Sequence, residues 1–220
     1  MQRNYQLSDF VAINSQELNK RIAYHEAGHA TAIYLYNKQQ QLPPVFFQIS
    51  LENNAELVRD RILLKQNSIA AKVEGGCLIQ NLLLSFIDSQ NYMSASEKSG
   101  YNAALEADMV NLLAGAVAEA NYVSRADNEI LNADLLSIQA LEKYGSQADL
   151  KKISEYLNCF SMDGQQQKHK LTQLLAQTFE FISHPKTWKA VDAVAAFILS
   201  CKKQTISCEE IFVVVDVVSA

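Results

Sequence analysis

Tyr24-His-Glu-Ala-Gly-His29 sets two histidines four positions apart, with a glutamate directly after the first. On a helix, positions i and i+4 share a face, so the imidazoles of His25 and His29 can point at one ion. Glu26 lies beside them and can reach a water on that ion rather than the ion itself. Zinc lowers the pKa of such a water towards neutrality, and a nearby carboxylate takes its proton as the oxygen attacks a carbonyl. This chemistry needs two neutral ring nitrogens and one adjacent base at this spacing. It predicts a Zn2+-dependent peptidase with Glu26 as general base.

A catalytic zinc usually takes three protein ligands and keeps one position open. No histidine follows within residues 30–40, so the third ligand is expected from a distant part of the chain. His169 and His184 stand in polar or turn-like surroundings and read as surface histidines. The acidic candidates are Glu106, Asp108, Glu119, Glu129 and Asp134. On an expected helix over Asn128–Tyr144, Asp134 shares a face with Ile130, Leu131, Ile138 and Leu141, and a carboxylate within an apolar stripe is costly unless paired or metal-bound. Glu119, set among alanines on the preceding helix, is the alternative.

Three segments carry a resemblance to a known family. Arg21-Ile-Ala-Tyr-His-Glu-Ala-Gly-His-Ala30 resembles the zinc-binding segment of the FtsH family of membrane-bound, ATP-dependent metalloproteases. Leu113-Ala-Gly-Ala-Val-Ala-Glu119 is similar to that family's Leu-Gly-Gly-Arg-Ala-Ala-Glu run, and Asn132-Ala-Asp-Leu135 to its later Ser-Asn-Asp-Leu segment. The Asp of that last segment is the family's third zinc ligand, so the resemblance implies metal binding by His25, His29 and Asp134. Similarity in order and spacing extends through Thr205-Ile-Ser-Cys-Glu-Glu-Ile211 and covers roughly residues 21–218. Ala116 and Ala120 replace the family's Arg and second Glu, and Ala133 replaces the Asn before its ligand. No Gly-x-x-x-x-Gly-Lys loop is present, so ATP hydrolysis is not expected of this chain. The resemblance implies a helical protease domain with a small β element, a peptide or unfolded protein as substrate, a homo-oligomer, and a separate ATPase acting in trans.

The elements that must position these residues are mostly helices. Asn14-Ser-Gln-Glu17 opens a helix running to about Tyr36. Val45–Leu51 and Ala71–Leu78 read as strands, giving a mainly α fold with β structure near residues 45–52 and 71–80. Gly75-Gly76 suggests a bulge or hairpin corner, or room for the backbone of a bound peptide at a sheet edge. Leu57–Gln66 reads equally as helix or loop, Leu82–Ile87 is apolar, and Asp88–Gly100 reads as an exposed loop. A helix rich in small residues is expected over Ala103–Val123, followed by one capped by Asp127 or Asn128. Further helices are expected at Asp149–Phe160, Gln165–Ile182 and Trp188–Lys202. Ser207-Cys-Glu-Glu210 is a capping box, which favours a short helix over Ile211–Val218 despite its β-branched residues.

The 220 residues fit a single peptidase-like domain, with 1–13 as an N-terminal arm. With 49% hydrophobic and 20% charged residues the chain can bury a sizeable core. A net charge of -5 without a basic block argues against nucleic acid as a partner. No signal peptide and no run of about 18 apolar residues is found, so a cytoplasmic protein without membrane insertion is expected. The four cysteines show no paired spacing and are expected to be reduced. A reading of a different class is a catalytically silent binding or regulatory module that keeps a zinc site. The intact Glu26 counts against it, because a structural site needs no base.

Overall fold

A computed structural model describes residues 15–53, 69–79, 93–132, 136–142, 144–160 and 162–219. Helix α1 (Ser15–Thr31) continues through a π-helical turn (Ala32–Tyr36) into a last α turn (Asn37–Gln39). Strands β1 (Phe47–Asn53) and β2 (Ile69–Gly75) follow, then the long α2 (Ala95–Ala126), α3 (Ile138–Glu142) and α4 (Gln147–Leu157). The chain closes with α5 (Gly164–Ser183), α6 (Pro185–Ser200), β3 (Thr205–Ser207) and α7 (Cys208–Ser219). The fold is mainly helical with one small antiparallel sheet of order β2-β1-β3. Its register pairs Ile49 with Val73 on one side and with Ile206 on the other.

Helix α1 is the centre, packed by α2, α6 and β2. From Ala27 to Thr31 it exposes almost nothing, and Phe47, Ile49 and Val73 bring the sheet's apolar face to the same core. The small residues of α2 serve close packing. A Cβ on Gly28 of α1 would collide with the backbone oxygen of Ala114 and the methyl of Ala118, and a Cβ on Gly115 would overlap the ring of His29.

Caps set several boundaries. Ser94 and Glu97 form a reciprocal capping box at the start of α2, as Asp163 and Gln166 do for α5. Helix α7 confirms the box read from the sequence: Ser207 N donates to Glu210 Oε2 at 3.1 Å, and Glu210 N to Ser207 Oγ at 3.4 Å. Pro185 stands in the first turn of α6. Asn14 and the 1–13 arm, Leu57–Gln66 and Leu82–Ile87 lie outside the described residues.

Three expectations need correction. Residues 95–100, read as loop, form the first turns of α2, because the Ser94 box starts the helix earlier than its apolar pattern does. The helix expected over 128–144 is reduced, among the described residues, to Ile138–Glu142. There Asp127 closes α2 instead of opening a new helix, and Asn128 takes φ +57, a left-handed residue that ends helical hydrogen bonding. Strand β3 was not foreseen, since three residues are too few for an alternating pattern, and pairing with β1 creates it. The other elements match within a few residues, with β2 ended by Gly75 and Gly76 at φ +85 and +75.

Candidate metal centre

His25 and His29 occupy successive turns of α1, with ring centroids 4.8 Å apart and planes at 76°. Both rings are fixed through Nδ1. His25 Nδ1 lies 3.2 Å from Glu119 Oε2, and His29 Nδ1 lies 2.7 Å from the backbone oxygen of Asn111. Both partners are acceptors, so each Nδ1 carries a proton and each Nε2 is the nitrogen left for a metal to take. Holding the outer ring nitrogen in this way is how proteins set a metal-binding tautomer.

The two Nε2 atoms face Asp149, at the start of α4. Asp149 Oδ2 is 3.7 Å from His25 Nε2 and 3.5 Å from His29 Nε2, beyond hydrogen-bonding range in both cases. Donors about 2.0–2.1 Å from a tetrahedral ion stand roughly 3.3 Å apart, close to these separations. The three ligand atoms all lie within 4.8 Å of one another and are buried. His25 Nε2, His29 Nε2 and Asp149 Oδ2 have no hydrogen-bond partner within the protein. Buried polar atoms are rarely left so, and three converging on one point fit a cation. The buried His25-His29-Asp149 group could therefore hold a metal ion.

Glu26 completes the cluster. Its Oε2 accepts from the Val73 amide of β2 at 2.7 Å, while Oε1 is buried without a partner. Burial raises its pKa, and the two imidazoles and the Val73 N–H offset this only in part. Burial alone would lower the pKa of His25, but the Asp149 and Glu119 carboxylates outweigh it and push the imidazole up to about 9. Burial works against ionised Asp149 too, yet the rings of His29 and His25 hold it well below the usual carboxylate range. Before any metal binds, these charges answer one another.

The structure thus brings His25, Glu26 and His29 together as the spacing predicts. Glu119 reaches the site on the outer nitrogen of His25, where it orients the ring. Asp134 lies outside the described residues. The stripe that nominated it is not helical at its start: residues 129–132 are irregular and Ile130 is 93% exposed. Asp149 was missed, although the tripeptide Ala-Asp-Leu occurs at 148–150 as well as at 133–135. Its spacing to Ile153, Tyr156 and Leu157 is an equally good apolar stripe, and all four are buried.

The remaining candidates are engaged elsewhere. Glu106 pairs with Lys170 at 2.6 Å, Asp108 accepts from Leu78 N and Ile79 N, and Glu129, His169 and His184 are exposed. His184 caps α6. Packing accounts for Gly75 and Gly76: besides their positive φ, a Cβ on Gly75 would meet the Phe46 backbone, and one on Gly76 would strike Ile33. The cysteines are free thiols. Among the described residues no helix is long and apolar enough to cross a membrane. No protein-family model matches the chain, and a search of curated proteins found no match.

Proposed function

We propose that the protein is a zinc-dependent metallo-endopeptidase of the FtsH type, acting on peptides or unfolded proteins. The observation that carries this reading is a set of buried, unpartnered atoms: His25 Nε2, His29 Nε2 and Asp149 Oδ2, which converge, and Glu26 Oε1 on the same helix as the two histidines. The first three suit a zinc ion, and the fourth suits a base beside it. When bound, zinc would supply Lewis acidity, polarising a peptide carbonyl and acidifying a water. Glu26 Oε1 takes the proton of the attacking water and passes it to the nitrogen of the leaving amine. Glu119 and the Asn111 carbonyl hold the Nδ1 protons of His25 and His29, so that the Nε2 atoms are the ones turned to the ion.

Strand β2 supports a peptide substrate. It stands at one side of the described sheet, and its Val73 amide touches Glu26, so a chain added along β2 would pass the base. Gly76→Val is a poor probe of this edge, because its side chain would clash with Ile33. The test is zinc stoichiometry together with cleavage of unfolded casein, with Glu26→Gln as control. We expect one zinc per chain in both forms and a rate loss of about 10²–10⁴ in the variant. Stoichiometric zinc with cleavage indifferent to Glu26 would defeat the reading.

One observation favours a silent metal module instead: His25, Glu26 and His29 are fully buried and Asp149 is 2% exposed. Under that reading zinc binds and stabilises the fold, no peptide is cleaved, and any role is played through a partner such as a separate ATPase. The same casein assay decides between the two.

A further inference from the structure

The proposed hydrolysis uses neither the thiol of Cys77 nor the amine of Lys152, yet the fold sets them in contact. Cys77 lies two residues beyond β2, and Lys152 lies three residues beyond Asp149 on α4. Lys152 Nζ donates to Cys77 Sγ at 2.9 Å, and the pair is only partly buried, so small oxidants can reach it.

The neighbours of both residues are tied down. Leu78 N and Ile79 N donate to the two oxygens of Asp108 at 2.8 and 2.9 Å. Tyr156, one turn past Lys152, donates to Asp108 Oδ2 at 3.3 Å and to the Ile79 oxygen at 3.2 Å. Asp108 of α2 thus clamps the segment after β2 against α4, and the sulfur and nitrogen meet without either backbone having to move. Such preorganisation makes a reaction between them effectively unimolecular. Their separation is too long for a direct bond between sulfur and nitrogen, and suits one bridging atom.

We propose that Cys77 and Lys152 are joined by an oxidatively formed S–O–N bridge, a reversible redox latch beside the metal centre. The oxidant is dioxygen. The Cys77 thiol, the Lys152 ammonium and one O2 give the bridge, one water and one proton. The S–H bond and two N–H bonds break, and S–O and O–N bonds form. Sulfur and nitrogen each give up two electrons, and these four reduce the two oxygen atoms, one kept in the bridge and one lost as water. Two equivalents of a dithiol return the four electrons and restore thiol and amine. The effect on cleavage rests on the peptidase reading, whereas formation of the bridge does not. β2 contacts Glu26 through Val73, and α4 carries Asp149, so the bridge fastens together the two elements that flank the site and slows admission of a peptide along β2.

The test compares zinc-loaded full-length protein kept in air with protein kept under nitrogen with dithiothreitol, by intact mass, peptide mapping and casein cleavage. Cys77→Ser and Lys152→Arg are the controls. We expect the aerobic wild type alone to gain one oxygen less two hydrogens, with the Cys77 and Lys152 peptides joined. Dithiothreitol should reverse the change, and the cleavage rate should fall in proportion to the bridged fraction while Lys152→Arg ignores oxygen. An unchanged mass, a whole oxygen on Cys77 alone, or loss of two hydrogens without oxygen overturns the bridge. Equal cleavage by bridged and reduced protein overturns the latch. Absence of cleavage in the reduced protein overturns only the peptidase reading, since the mass measurement needs no activity.

Discussion

Asp149 and Glu119 both lie against His25, on opposite nitrogens, and their removal should be distinguishable. Asp149→Ala takes away a donor with no substitute in the described cluster, so stoichiometric zinc should be lost on dialysis. Glu119→Gln leaves all three donors but loosens the hold on His25 Nδ1, and should weaken zinc affinity by about 10–100-fold while full occupancy is still reached at high metal. Equilibrium dialysis against a competing chelator separates the two cases. The His25 imidazole makes a further prediction for the metal-free protein. Its pKa is raised from the ordinary 6.5 to about 9 in the folded state. The stability this contributes is complete below pH 6.5 and is lost as pH rises through about 9. Thermal melts of chelator-treated protein should therefore weaken across that window. Zinc-loaded protein should not follow, since the metal takes the position of the Nε2 proton.

At the scale of elements, the closeness of α1 and α2 is what holds the rings. Gly28→Ala and Gly115→Ala each add one methyl to this seam with different consequences. The methyl on Gly28 meets the Ala114 backbone and should cost about 1–3 kcal/mol of stability through overpacking. The methyl on Gly115 meets the His29 ring itself. We expect its first effect to be on zinc affinity, read by titration, ahead of the melting temperature. The Asp108 clamp makes another element-level prediction. Asp108→Ala leaves the Leu78 and Ile79 amides without their acceptor and should destabilise by about 2 kcal/mol in urea unfolding, with hydrogen exchange quickening first in residues 76–79.

For the molecule as a whole, the donors come from two helices far apart in sequence, α1 and α4, and the base is held by a strand between them. An ion that binds this arrangement and not the unfolded chain adds to global stability by mass action. At free zinc about 1,000 times its Kd the gain is about 4 kcal/mol. A melting temperature that rises with zinc in the wild type, and does not in Asp149→Ala, would tie the metal to the fold. No rise in either would mean that the site binds no zinc.

What could be read without the fold was what a single helix or cap determines. The face shared by His25 and His29, with Glu26 beside them, follows from 3.6 residues per turn, and the Ser207–Glu210 box follows from contacts within one turn. The small residues of Ala114–Ala118 signalled close packing, but not that Gly115 makes room for the ring of His29. The choice of carboxylate lay beyond local pattern, because Ala-Asp-Leu occurs twice with an apolar stripe each time. Only docking of α4 against α2 brought Asp149 to the two Nε2 atoms, and only the αL turn at Asn128 showed that the earlier stripe does not begin as a helix. Strand β3 likewise exists through its pairing with β1. Spacing within an element is set by backbone geometry, whereas the meeting of distant elements is set by burial and shape across the whole core.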